Sequence, residues 1–119
     1  MEENKQGYKN LIVWQKAMDL VVETYTLIRL LPKEEKFGLG SQMGRCAVSI
    51  PSNIAEGYRR RSEKSFRQFL LVSFGSGAEL ETQIEIVKRL QLVDEHDFSR
   101  LDGLLSETMK LLRVFIDKR

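Results

Sequence analysis

The run Tyr58-Arg-Arg-Arg-Ser-Glu-Lys, with Arg67 following one turn later, is the part of this sequence best equipped to meet a charged ligand. Arg59, Arg60, Arg61, Lys64 and Arg67 put five cations within nine positions. Guanidinium groups can grip phosphate oxygens two at a time, lysine adds a point charge, and a neighbouring aromatic such as Tyr58 can stack on a base. The same run also reads as a solvated corner whose charges pair with Glu63 and nearby acids. A second polar set, Asn53 and Glu56, lies just upstream around Pro51. These two either belong to a site or satisfy carbonyls that a proline inside a helix leaves unpaired.

Catalytic and metal chemistry find little support. A di-iron carboxylate centre in a helical bundle needs inward glutamates and two Glu-x-x-His pairs. The only histidine, His96, sits in Asp94-Glu-His-Asp, and Val93 rather than a glutamate stands three positions before it. Glu56, Glu79 and Glu81 could gather, but no imidazole joins them. One cysteine, Cys46, and one histidine in a turn give no base beside a nucleophile, and Cys46 reads as a small buried apolar residue. Gly38-x-Gly40 and Gly75-x-Gly77 lack the strand and lysine that make a glycine loop hold phosphate. The chain is read as non-enzymatic, with no metal and no cofactor.

Composition narrows the class further. With 42% hydrophobic and 30% charged residues in 119, the chain has enough apolar surface for one core and one domain, 1–119. A net charge of +2 is too small to mark a dedicated DNA-binding domain, so any nucleic-acid role rests on clustering. No apolar run approaches the ~20 residues that cross a bilayer, and the first residues do not resemble a secretory signal. A cytoplasmic protein is expected.

The elements that must hold these residues are helices. Leu11, Trp14, Met18, Val21, Tyr25 and Ile28 recur at helical spacing, and so do Val13, Ala17, Leu20, Thr24, Leu27 and Leu31. The two series belong to one helix, about 10–31, which Pro32 ends, with a charged turn at Lys33-Glu-Glu-Lys after it. A second helix, about 39–57, has Met43, Cys46, Ala47, Ile50 and Ile54 on one stripe and is expected to kink or break near Pro51. Ser62 is a good N-cap for a third helix, about 63–91, with Phe66, Phe69, Leu70, Ser73, Gly77, Leu80, Ile84 and Val87 on its main stripe. Leu71, Phe74 and Ala78 form a second patch on it, and Gly75 and Gly77 are expected to admit the small residues near Pro51. Asp94 or Asp97 can cap a fourth helix, about 97–117, whose single stripe runs from Phe98 to Ile116.

Four helices with short connections and no alternating strand pattern define an all-α fold, an antiparallel up-down-up-down four-helix bundle. The first and third helices carry more apolar surface than their own subunit can cover. Self-association follows, and the basic corner then repeats once per copy.

Four segments carry a more specific signal: Tyr8-Lys-Asn-Leu-Ile-Val-Trp-Gln-Lys-Ala-Met-Asp-Leu, Leu31-Pro-Lys-Glu-Glu-Lys-Phe-Gly-Leu, Ser49-Ile-Pro-Ser-Asn-Ile-Ala-Glu-Gly and Gly75-Ser-Gly-Ala-Glu-Leu-Glu-Thr-Gln. In this order they closely resemble the bacterial 23S rRNA intervening-sequence protein family, across nearly the whole chain. The resemblance implies a four-helix bundle that assembles as a homopentameric ring. The accessory variability determinant of diversity-generating retroelements is a relative, so the resemblance also implies RNA or DNA, or a protein such as a reverse transcriptase, as partner. A protein scaffold with no nucleic-acid contact remains the alternative.

Overall fold

Pro32 and the αL residues at the ends of two helices divide the chain into four long rods. The computed structural model describes residues 7–94 and 96–119. Among these residues the rods are Ile12–Leu30 (α1), Ser41–Arg59 (α2), Glu63–Arg89 (α3) and Ser99–Asp117 (α4), and there is no strand. A 3-10 turn, Gly7–Asn10, leads into α1. Each expected helix end lies within two residues of the observed one.

Local chemistry accounts for most of the ends. Leu31, which precedes Pro32, is extended (φ −66°, ψ 151°) and closes α1, because the proline ring disfavours the α conformation before it. The charged segment after it is helical: one turn, Lys33–Glu35, runs directly into a π-helical turn, Lys36–Gly40, and on into α2. Ser62 caps α3, its hydroxyl accepting a hydrogen bond from the Ser65 amide at 3.2 Å. At α4 it is Asp97 that serves, its carboxylate accepting from the Ser99 amide at 3.0 Å. That bond holds the Asp97 carboxyl below its usual range.

On α1 the buried series is Val13, Ala17, Leu20, Thr24 and Leu27. The buried Thr24 hydroxyl donates to the Leu20 carbonyl at 2.7 Å, which makes a polar side chain tolerable there. The other series stays at the margin: Trp14, Val21 and Ile28 are half-buried, while Met18 and Tyr25 are exposed. Each long rod packs on two others, α1 and α3 both touching α2 and α4. One apolar cluster draws on all four, with Leu20, Ile50, Leu70 and Leu112 fully enclosed.

α2 continues through Pro51, so the break expected there does not occur. Its contacts with α3 are close and partly polar. The Ser73 hydroxyl donates to the Ile50 carbonyl at 2.8 Å, and the Ser49 and Ser76 hydroxyls share a hydrogen bond of 2.9 Å. Gly57 does not end α2; it lies against Phe66 and Phe69, and a Cβ there would stand 2.7 Å from Phe69 Cβ. The expectation for Gly75 and Gly77 needs correction. Gly75 faces open space, Gly77 accommodates Met109 of α4, and serines at 73 and 76 make the contact with the Pro51 segment instead. The reason is register: α3 turns its serines toward α2 and only one of its glycines toward α4.

These environments give opposite expectations for one substitution. Gly57→Ala should lower stability by about 1–3 kcal/mol because the Phe66 and Phe69 backbones cannot withdraw, even though alanine favours helix. Gly75→Ala should raise it by about 1 kcal/mol. Urea denaturation of the two variants, with unchanged slope, checks both.

Candidate nucleic-acid interface

The link from α2 to α3 is three residues long, and that shortness gathers the charge. Arg59 closes α2, Arg60 follows in helical conformation, and Arg61 turns the chain with φ 59° into the Ser62 cap. Lys64 and Arg67 then stand on the first turns of α3. All five cations predicted from sequence are exposed on this one corner. The Gly7–Asn10 turn meets it at Tyr58, and Arg119, two residues past the end of α4, reaches it at Glu63.

What surrounds each cation decides which are available. The Arg60 guanidinium pairs with Glu56 at 2.9 Å and lies 5.0 Å from the Phe69 ring centre. Arg59 lies 5.3 Å from the ring centre of Tyr8. Arg119, which sequence reasoning missed, joins the corner: it pairs with Glu63 at 3.0 Å, donates to the Phe115 carbonyl at 3.0 Å, and covers Phe66 and Phe115 at 4.6 and 5.2 Å. Both acids beside the cluster, Glu56 and Glu63, are thus engaged by Arg60 and Arg119. Among the described residues Arg59, Arg61, Lys64 and Arg67 make no ion pair. The local field is therefore positive even though the chain as a whole is nearly balanced.

Tyr58 does not present a flat face. Its ring meets Phe66 edge-on at 5.9 Å and 87°, half-buried, and is part of the packing. Tyr8, beside Arg59, is itself edge-on to Trp14 at 5.4 Å. It opens the first of the four family-like segments, but its place before an apolar run could not reveal that the chain folds back onto α2.

Arg61 occupies a conformation that a non-glycine residue enters at a cost of about 1–2 kcal/mol. Gln91 does the same after α3 (φ 52°), where the Leu92 amide closes the helix on the Val87 carbonyl at 3.1 Å. Glycine is the usual occupant of such positions, and at 61 the chain has a third arginine.

Asn53 and Glu56 are not brought together. The Asn53 amide donates to the Ser49 carbonyl and hydroxyl at 2.8 and 2.9 Å, extending the serine contact between α2 and α3. Glu56, a carboxylate with nothing to donate, faces Arg60 instead. Cys46 is half-buried, not enclosed: its thiol donates to Glu79 at 3.4 Å and accepts from Gln83 at 3.5 Å. Burial and the bond to Glu79 push the thiol above its usual pKa, which keeps it protonated and a poor nucleophile at neutral pH. His96 meets Phe98 edge-on at 4.9 Å. Among the described residues no three potential ligands gather as a metal site, and no helix is long and apolar enough to cross a membrane.

Fold and corner together define an all-α helical-bundle protein with a cation-rich junction between its second and third rods. The profile of the 23S rRNA-intervening sequence protein family matches residues 9–114, and the chain belongs to that family. Among solved structures it is similar to a protein with unknown function from the S23 ribosomal protein family of Bacteroides thetaiotaomicron VPI-5482. The two share 25% identity and a TM-score of 0.80 over 89% of this chain and 96% of that one. No curated protein matches the chain. Neither description names an enzymatic activity.

If strain at 61 is independent of packing, Arg61→Gly should raise stability by about 1 kcal/mol, and Gln91→Gly should do likewise at the other end of α3. Thermal melts of both variants at moderate salt measure this.

Proposed function

We propose that this chain is a non-enzymatic, cytoplasmic, homo-oligomeric bundle that binds nucleic acid, RNA in the first place, through the corner formed by Arg59, Arg60, Arg61, Lys64 and Arg67. The observation that carries the reading is the pairing pattern: the two nearby acids are occupied by Arg60 and Arg119, and four cations at one corner have no carboxylate partner among the described residues. The αL conformation of Arg61 supports it, since an arginine kept where glycine costs less suggests a use for the side chain. The family's description, which refers to an rRNA, points the same way.

In the architecture we infer, the rods alternate in direction, α2 bends at Pro51, and five copies close a ring. Met18, Val22 and Tyr25 on α1 and Leu71 and Val72 on α3 are exposed on the single chain and are the surfaces that sister copies would cover. A ring repeats the corner at one level of the assembly, so a modest charge per chain becomes a multivalent surface for a polyanion. A second reading, a scaffold for another protein such as a reverse transcriptase with no nucleic-acid contact, draws on the same exposed strips.

The two readings separate on salt. RNA binding by the parent protein should weaken steeply with salt, and replacing Arg59, Arg60 and Arg61 by glutamine should flatten the slope of log K against log salt by about 2. Equal affinity and equal slope in a variant of unchanged mass would rule out the corner. Capture of a specific host protein that persists after nuclease treatment, with no RNA bound, would favour the scaffold.

A further inference from the structure

Phe37 is 92% exposed, more than any other large apolar side chain described. It stands on the π-helical turn Lys36–Gly40, between Pro32 and α2, and Gly40 at the end of that turn is buried against Ile28 and Leu31. π-turns are rare and concentrate at functional sites. Around it lies a shallow depression over α1 and α2 that includes Tyr25, Val48, Lys36 and Arg45.

On the other side of the bundle, α3 and α4 part to leave a groove of about 690 Å³. Phe74, Ile84, Leu105, Met109 and Val114 supply its apolar lining. Gly77 contributes to its shape, since any Cβ there would collide with Met109, and a methionine floor can adapt to an entering ring. The α3 rim carries Glu81 and Glu85; the α4 rim carries Lys110 and Arg113, the latter 5.7 Å from the Phe74 ring centre.

We infer that Phe37 of one copy seats in the α3–α4 groove of the next copy, joining subunits through two different surfaces. This rests on the oligomeric reading above and adds which faces meet. Charge selects the occupant. Lys36 and Arg45 flank Phe37, and the depression around it has no carboxylate in its lining. A two-fold contact pairing this face with itself would set Lys36 and Arg45 of both copies against one another. The α3–α4 groove balances three carboxylates with three cations, and Lys88 and Asp102 pair with each other at 2.7 Å; Glu81, which makes no ion pair among the described residues, and Glu85, engaged only by the exposed Arg89 at 3.2 Å, are left to meet Lys36 and Arg45. Glu34 and Glu35, just before the aromatic, can in turn meet Lys110 and Arg113. A heterologous contact of this kind closes a ring when its rotation permits, and every copy then presents its arginine corner in the same sense.

The test compares light-scattering masses over a dilution series for the parent chain and for Phe37→Ser, whose helix content should be unchanged because the side chain is exposed. Dissociation should set in at a concentration about tenfold higher or more for the variant. In a second arm, with Cys46→Ser as background, Phe37→Cys and Lys110→Cys proteins are mixed and oxidised. A disulfide between the two different variants is the expected product. Unchanged assembly of Phe37→Ser, or a disulfide formed only between two Phe37→Cys chains, would overturn the docking while leaving oligomerisation intact. A parent chain that is monomeric throughout would overturn both.

Discussion

The close approach of α2 to α3 is the constraint from which the rest follows. Gly57 admits Phe66 and Phe69, Ser73 reaches the Ile50 carbonyl, and Ser49 meets Ser76. Arg60, Arg61 and Ser62 alone link the two helices, so the turn between them is tight. The αL turn at Arg61 and the crowding of five cations are consequences of that geometry. Burying one large apolar side chain contributes about 1.5–3 kcal/mol, whereas exposed charge pairs contribute below about 1 kcal/mol. The packing of Phe66, Leu70 and Ile54 therefore dictates where the arginines go, and their mutual repulsion is a lesser term offset by Glu56, Glu63 and the aromatic rings beneath them.

The same logic separates the two sides of each rod. On α1 the series through Val13, Leu20 and Leu27 is enclosed, and the series through Met18 and Tyr25 is left toward solvent. The inner series is what a protomer needs in order to fold. The outer series is larger than scattered surface residues require, and it adjoins Val48 and Phe37 to make a face whose flanking charges are basic. In the proposed docking, Glu81 and Glu85 along α3 are the carboxylates that this face would meet. The fold draws on the inner faces of these helices, and the proposed assembly and ligand binding draw on the outer ones.

Much of the fold was legible because its causes are local. Pro32 ends α1 and Ser62 caps α3 through chemistry confined to a few neighbours, and helical spacing picks out the buried stripes of α3 and α4 except at Phe69, Phe98, Leu111 and Phe115, which are half-buried. The parts that were not legible depend on contacts far apart in the chain. Nothing near Arg119 announces that it will cover Phe66 and take Glu63, and nothing near Tyr8 says that it will lie under Arg59. Asn53 and Glu56 are three residues apart, which hides the fact that one bonds back to Ser49 and the other faces Arg60. Gly75 and Gly77 look alike in sequence, yet only the second is packed, because two positions along a helix point nearly opposite ways. The π-helical turn at Lys36–Gly40 escaped for another reason: its charges suggested an open turn, and its regularity comes from Gly40 packing onto α1.

The central claim is that the apolar strips left outside on α1 and α3 are covered by sister chains, which brings the arginine corners together. Absolute mass in solution, measured by light scattering on the unmodified chain at micromolar concentration, addresses it most directly. The account predicts a single species five times the 13.8 kDa of one chain. A species of 13.8 kDa that persists at every concentration would contradict it.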